Sequence, residues 1–218
     1  MSDRRSRTRR LLVSVFACLG ILAPAGVAHA TWTADNCYGS GSDMTAWRRS
    51  QAYVYVQQAA GEGYEWGGGC FKLNDVDDTP FLPTDGDGEG TDCSGLVFKT
   101  WALRNDGTSG FKFWPHEKEI HGPYNTASYY SPASADPFKT ISKSYKATIY
   151  MDAFVHRDAD GGHIALINAE GSSGSDWLIH SYTNTAGTLI EYRDYRSQSI
   201  YRAVMRKNWT PDCYPRCV

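Results

Sequence analysis

The chain lacks the signatures of several protein classes. It has no internal repeat, which excludes a solenoid or a propeller. It has no C-x-x-C and no H-x-x-x-H spacing, so no zinc motif is present. Basic residues are outnumbered, 22 against 24 acidic ones, which argues against a nucleic-acid-binding face. Six cysteines in 218 residues are too few for a small disulfide scaffold. Only one apolar run is long, Leu11 to Val27, and Pro24 and Gly26 interrupt it, so it makes a poor membrane anchor. What remains is ordinary for a folded domain. Hydrophobic residues make up 41% and charged residues 21%, which excludes wholesale disorder and fits one domain with extensions.

Residues 1–30 read as an export signal. Arg4, Arg5, Arg7, Arg9 and Arg10 form a positive region, the apolar run follows, and Ala28-His29-Ala30 matches the small-x-small pattern before a cleavage site. Thr8-Arg9-Arg10-Leu11-Leu12 leaves a twin-arginine route open beside the general one. Val15-Phe16-Ala17-Cys18 is a poor lipoprotein site, because the apolar run continues past Cys18. The expected location is therefore secreted.

Setting aside residues 1–30 removes five of the 22 basic residues and one of the 24 acidic ones, leaving a net charge of −6. Cys18 leaves as well. Cys37, Cys70, Cys93, Cys213 and Cys217 remain, and in an oxidising compartment an odd count implies one unpaired thiol. Cys37, Cys70, Cys213 and Cys217 lie in loop-like stretches suited to disulfides, and three pairings are possible. Cys93 alone opens a helix-like segment.

Along the chain, 31–43 reads as an irregular arm and 44–209 as the folded domain. A short Cys-containing tail, 210–218, follows. Met44 to Ala60 fits a helix capped by Asp43 and stopped by Gly61, although Tyr53-Val54-Tyr55-Val56 could equally be strand. Residues 61–92 read as a long loop, and 105–147 as an irregular insertion. From Cys93, the spacing of Leu96, Val97, Trp101 and Leu103 marks a buried helical stripe. Five strand-like runs come afterwards: Thr148–Val155, His163–Asn168, Trp177–Tyr182, Leu189–Tyr192 and Ile200–Met205. Helices first and an antiparallel sheet afterwards predict an α+β fold.

The chemistry gathers at Thr91-Asp92-Cys93-Ser94-Gly95-Leu96. With Asp92 or Thr91 as cap, Cys93 sits in the first helical turn. Free N–H groups and the positive helix end there favour the thiolate. A nearby histidine would favour it further and supply a proton to the leaving group. His116, His121 and His156 lie in or beside loops, whereas His163 and His180 fall within strand runs that can stand side by side. His163 is then the candidate base and His180 its orienter.

Four elements in this order, Tyr64-Glu65-Trp66-Gly67-Gly68, Asp92-Cys93-Ser94-Gly95-Leu96-Val97, Gly162-His163-Ile164-Ala165-Leu166-Ile167 and Leu178-Ile179-His180-Ser181, resemble the motifs of the NlpC-type, papain-like cysteine peptidases of bacterial cell walls. The resemblance spans roughly residues 44–206. It implies a papain-like fold with N-terminal helices packed on an antiparallel sheet. It implies hydrolysis of peptidoglycan stem peptides at a γ-D-glutamyl–diamino acid bond, with Cys93 as nucleophile, His163 as base and His180 as third polar residue. It assigns Tyr64 to the substrate site, and Asp92 and Ser94 to the peptide's free amine. A zinc site from Cys93, His163 and His180 is conceivable but has no motif spacing behind it, so no cofactor and no metal are expected.

The chain departs from the family pattern where that family's cleft walls lie. Cys70 and the acidic stretch Asp75 to Glu89 enlarge one loop, 105–147 is a long insertion, and the family's Pro-Gly-Asp turn is reduced to Met151-Asp152. Asp85-Gly86-Asp87-Gly88-Glu89 places alternate oxygens as a calcium loop does, but lacks the twelve-residue pattern. Trp114, Tyr124, Tyr129 and Tyr130 either line a groove or staple the insertion to the body, and stapling is the expectation. Two other functions fit the same residues: a secreted amidase or deamidase acting on a non-wall amide, and a non-catalytic wall-associated protein.

Overall fold

The computed structural model of the chain describes residues 42–69, 71, 90–113, 121–183 and 185–212. The export signal, the cysteines other than Cys93, the acidic calcium-like loop, His116 and Trp114 lie outside them. The described part is α+β, with three short helices and antiparallel strands.

The first departure from the sequence reading is at the start of the domain. Asp43 and Met44 do not open a helix. They belong to β1 (Ser42–Met44), which pairs antiparallel with β2 (Phe111–Phe113), Ser42 opposite Phe113. The helix α1 begins later and ends sooner, at Arg49–Gln57, with Arg48 as N-cap and the Arg48 N–H donating to Gln51 Oε1 at 3.0 Å. The Tyr53–Val56 run is helical, and Gly61 ends the turn after it in a left-handed conformation, φ +92°.

The helix α2 (Cys93–Thr100) starts where its sequence predicted, and every one of its residues is buried. Cys93, Leu96, Val97 and Phe98 supply its apolar side chains, and Ser94, Lys99 and Thr100 are buried with them. The Trp101 Nε1–H donates to the Met151 carbonyl at 2.8 Å, and Arg206 Nε donates to the Trp101 carbonyl at 2.6 Å, satisfying the helix end.

The main sheet has six strands in the order β3-β8-β4-β5-β6-β7, with every neighbouring pair antiparallel. They are β3 (Phe138–Ile141), β4 (Ala153–Arg157), β5 (Gly162–Ala169), β6 (Asp176–Thr183), β7 (Gly187–Arg193) and β8 (Arg202–Arg206). Side chains alternate between the two faces. Ile164, Leu166, Ile179 and Val204 join α1 and α2 in the larger core, whereas Ala165, Ile167, Leu178 and Phe154 form a second, smaller one with Tyr195 and Tyr201.

The 105–147 segment is not the irregular insertion expected. It supplies β2, the short helix α3 (Thr126–Tyr130) and the edge strand β3. Aromatic burial explains this. Phe138 lies within 4.5 Å of the Tyr129 ring and 4.9 Å of the Tyr124 ring, and Trp101 meets Tyr129 edge-on at 5.8 Å. These rings staple the segment to α2 and contribute roughly 1 kcal/mol per pair beyond their burial.

The strand expected from Thr148 begins only at Ala153. Before it, Met151 turns the chain left-handed at φ +63° with its side chain fully buried. The unusual backbone costs about 1–2 kcal/mol, which burial of the methionine offsets. Asp152 next to it holds Arg49 of α1 in a buried ion pair at 2.6 Å.

The glycine loop before α2 packs directly on the helix. A Cβ at Gly95 would stand 2.2 Å from the Gly68 carbonyl oxygen, so loop and helix meet backbone to backbone. Gly95→Ala is expected to destabilise the protein by about 2 kcal/mol despite the better helix propensity of alanine, because the contact cannot open without moving the loop. Chemical denaturation checks this; an unchanged or raised stability contradicts the packing described.

Candidate active site

Asp92 is the N-cap of α2, its Oδ1 accepting from the Gly95 N–H at 2.7 Å. The glycine loop clamps it from the other side. The Gly67 N–H donates to Oδ2 at 3.2 Å, and the Asp92 N–H donates to the Gly68 carbonyl at 3.0 Å. Ser181 of β6 donates its hydroxyl to the Thr91 carbonyl, tying the helix start to the strand that carries His180. Cys93 follows in the first turn, 8% exposed and free.

The thiol is not held as a thiolate. Burial pushes it up to about 12, and the Asp92 carboxylate adds to the rise. The backbone N–H groups of Ile164, Ser94 and Cys93 itself oppose the shift without reversing it. The expectation that a helix start would favour the anion is therefore corrected. Asp92 occupies the same helix end with its own negative charge, and the sulfur has little contact with water. The Ile164 N–H also brings the His163–Ile164 peptide of β5 against the sulfur.

His163 and His180 meet. The contact joins His163 Nε2 and His180 Nδ1 at 2.5 Å, with the rings edge-on. Sheet register accounts for it. Leu166 stands opposite Ile179, so counting along the strands puts His163 and His180 on the other face as diagonal neighbours. His163 is partly exposed and His180 is buried. Desolvation, then the neighbouring His180, His156 and Arg193, holds His163 well below the ordinary imidazole value. Desolvation also lowers His180, although Glu191 pulls the other way. Both rings rest neutral at pH 7. Because His163 spends Nε2 on His180, Nδ1 is the nitrogen left to act as a base.

Tyr64 lies in the loop before α2. Burial, then the Cys93 sulfur and the Asp92 carboxylate, holds its hydroxyl above the usual tyrosine range. Ser94 donates its hydroxyl to Asp92 Oδ1 at 3.0 Å. The six residues singled out in the sequence thus fall into two linked groups: Tyr64, Asp92, Cys93 and Ser94 at the helix start, and His163 with His180 on the sheet.

Three further residues stand at the site: His121, which the sequence reading set aside as a loop residue, and Glu191 and Tyr182, which it missed. His121 presents Nε2 to Ser94 Oγ at 2.8 Å and to Asp92 Oδ2 at 3.1 Å, and Nδ1 to the Gly122 carbonyl at 3.1 Å. Acceptors at both nitrogens describe an imidazolium. Desolvation lowers the His121 value, but the hydrogen bond and charge of Asp92 and the Gly122 carbonyl outweigh it, leaving a net rise. Gly122 makes the approach feasible with its left-handed φ of +82°, close against Phe98. Glu191 of β7 accepts at Oε1 from His180 Nε2, 2.7 Å away. Tyr182, 41% exposed, lays its ring against both imidazoles at 5.6 and 5.1 Å. A loop histidine and an exposed strand tyrosine carry no local signal. Of the remaining histidines described, His156 stands opposite His163 on β4 and packs on Tyr201. Among the described residues, no three His, Cys, Asp or Glu side chains converge as a metal site, and no helix is long and apolar enough to cross a membrane.

No family model matches the chain. No curated protein matches it either. Among solved structures it is similar to Ly7917, determined with the hydrolysing product of MDP, at 12% identity and a TM-score of 0.42. The match covers 74% of this chain and 64% of that one. A likeness so distant carries nothing about activity.

Two outcomes follow from the electrostatics. Alkylation of resting Cys93 by iodoacetamide should titrate above the free-thiol value of about 8.5; a half-point below it contradicts the burial and charge described. His121 is raised relative to an unfolded imidazole, so its contact stabilises fully below about pH 6.5 and fades as pH climbs through the raised value. The melting-temperature loss in His121→Ala should therefore be largest near pH 5 and shrink toward pH 9. A loss that grows with pH would reverse the assignment.

Proposed function

We propose that the protein is a secreted, papain-like cysteine peptidase of the NlpC type that hydrolyses amide bonds in peptidoglycan stem peptides, with a γ-D-glutamyl–diamino acid bond as the target. The observation that carries this reading is the hydrogen-bonded His163–His180 pair on strands whose backbone reaches the thiol at the start of α2. The arginine-rich segment, apolar run and Ala28-His29-Ala30 at the start of the chain support export.

In this mechanism Cys93 loses its proton only as it attacks. His163 Nδ1 takes the thiol proton while the sulfur bonds to the amide carbonyl carbon. Backbone N–H groups at the start of α2 stabilise the oxyanion. Collapse of the tetrahedral intermediate breaks the C–N bond, and the imidazolium returns the proton to the departing amine. A thioester remains on Cys93. Water, deprotonated by the same nitrogen, then releases the acid and restores the thiol. A neutral thiol and a neutral imidazole suit this sequence, since neither charge has to be stored in a buried site.

One contact favours a second reading. Asp92 and Ser94, which the resemblance assigns to a free amine, are engaged by His121. A substrate without that amine, such as a γ-glutamyl polymer or a protein glutamine, would leave the contact intact.

Digestion of purified muropeptides, read by mass spectrometry, separates the readings. Wild type is expected to release the fragments of a γ-D-glutamyl cut, and Cys93→Ala and His163→Ala to lose about a thousandfold or more in turnover. Equal cleavage by Cys93→Ala defeats the mechanism. Inert muropeptides with Cys93-dependent hydrolysis of another amide defeat the wall substrate alone.

A further inference from the structure

The hydrogen-bond line behind His163 does not stop at His180. His180 Nε2 meets Glu191 Oε1 at 2.7 Å, and Arg193 Nη2 holds the other oxygen, Oε2, at 2.7 Å. Geometry makes this a diagonal across three strands. His180 pairs with Leu189 and Glu191 with Leu178, so Glu191 is to His180 on β7 what His163 is on β5.

We propose that Glu191 is a positioning residue that sets the tautomers of both histidines and thereby leaves His163 Nδ1 unprotonated for the thiol. An ionised carboxylate only accepts, and the Arg193 contact keeps it ionised. Burial tends to raise Glu191, but hydrogen bonds from Arg193 and His180 prevail and hold it below the ordinary glutamate value. The ring nitrogen facing Oε1 must therefore carry hydrogen, so neutral His180 is protonated on Nε2. Its Nδ1 is then bare and can only accept. The facing nitrogen of His163, Nε2, must in turn donate. One proton remains to a neutral imidazole, and it is spent there. Nδ1 of His163 is left with a lone pair. The carboxylate fixes a state two rings away without touching substrate. This deepens the proposed function and rests on reading Cys93 and His163 as nucleophile and base.

The test is long-range proton–nitrogen NMR of the histidine rings in the 15N-labelled mature protein at neutral pH, beside turnover. Wild type is expected to show both His163 and His180 as Nε2-protonated tautomers. In Glu191→Gln the amide can offer either its oxygen or its NH2 group, so the rings should show mixed tautomers, and kcat should fall about a hundredfold with KM little changed. The fall is smaller than for loss of a group that holds the base directly, because Glu191 acts through one more ring. A His163 protonated on Nδ1 in wild type overturns the assignment without recourse to any variant. Unchanged tautomers and unchanged turnover in Glu191→Gln also overturn it. Wild-type rings in the stated tautomers in a protein that cleaves no amide would uphold the assignment and defeat the proposed function instead.

Discussion

The contact between His163 Nε2 and His180 Nδ1 exists only while β5 and β6 keep one register. A slip of one residue would send one ring to the opposite face of the sheet. Much of the surrounding structure pins that register. Asn168, the extra residue at the irregularity between Ile167 and Ala169, is hydrogen-bonded by Gln57 of α1. Arg196 grips Asp176 at the start of β6 with two hydrogen bonds of 2.8 and 3.0 Å, both groups buried. At the other end of β6, Ser181 binds the carbonyl that precedes the Asp92 cap. The strand that carries His180 is therefore fastened to the helix that carries Cys93.

Burial governs the electrostatics of the site more than the helix dipole does. The dipole and three N–H groups act on the sulfur, yet the thiol stays protonated because water is nearly absent and a carboxylate is adjacent. The same lack of water keeps both strand histidines neutral. The charge in the region lies at the edges: His121 against Asp92, and Arg193 against Glu191. Two ionic pairs lie outside a neutral thiol and two neutral imidazoles. Such a layout avoids the desolvation cost of a buried ion pair among Cys93, His163 and His180.

Much of this was legible in the sequence where local rules operate. The cap at Asp92, the helix from Cys93 and the strands bearing His163 and His180 follow from short-range patterns. The opening of the domain was not, because β1 pairs with a strand more than sixty residues away and that pairing outcompetes local helix preference. Segment 105–147 looked irregular by composition, but Tyr129 and Phe138 are held by the Trp101 ring, which lies outside it at the end of α2. Glu191 shows the limit most clearly. Thr183 pairs with Gly187, and an uninterrupted count from that turn would put Glu191 opposite Ile179, facing away from His180. The extra residue on β6, Tyr182, shifts the pairing so that Glu191 stands opposite Leu178. A single bulge decides whether the carboxylate reaches the histidine, and no periodicity in the sequence announces it.

The proposed mechanism requires a covalent bond between Cys93 and the substrate acyl group. Mixing the protein with a muropeptide, quenching in acid within one turnover and mapping the adduct by mass spectrometry tests that bond directly. The account predicts a transient acyl mass on the peptide containing Cys93, rising and decaying as the amine product appears. Product formed with no adduct, or with the acyl mass on another residue, would contradict it.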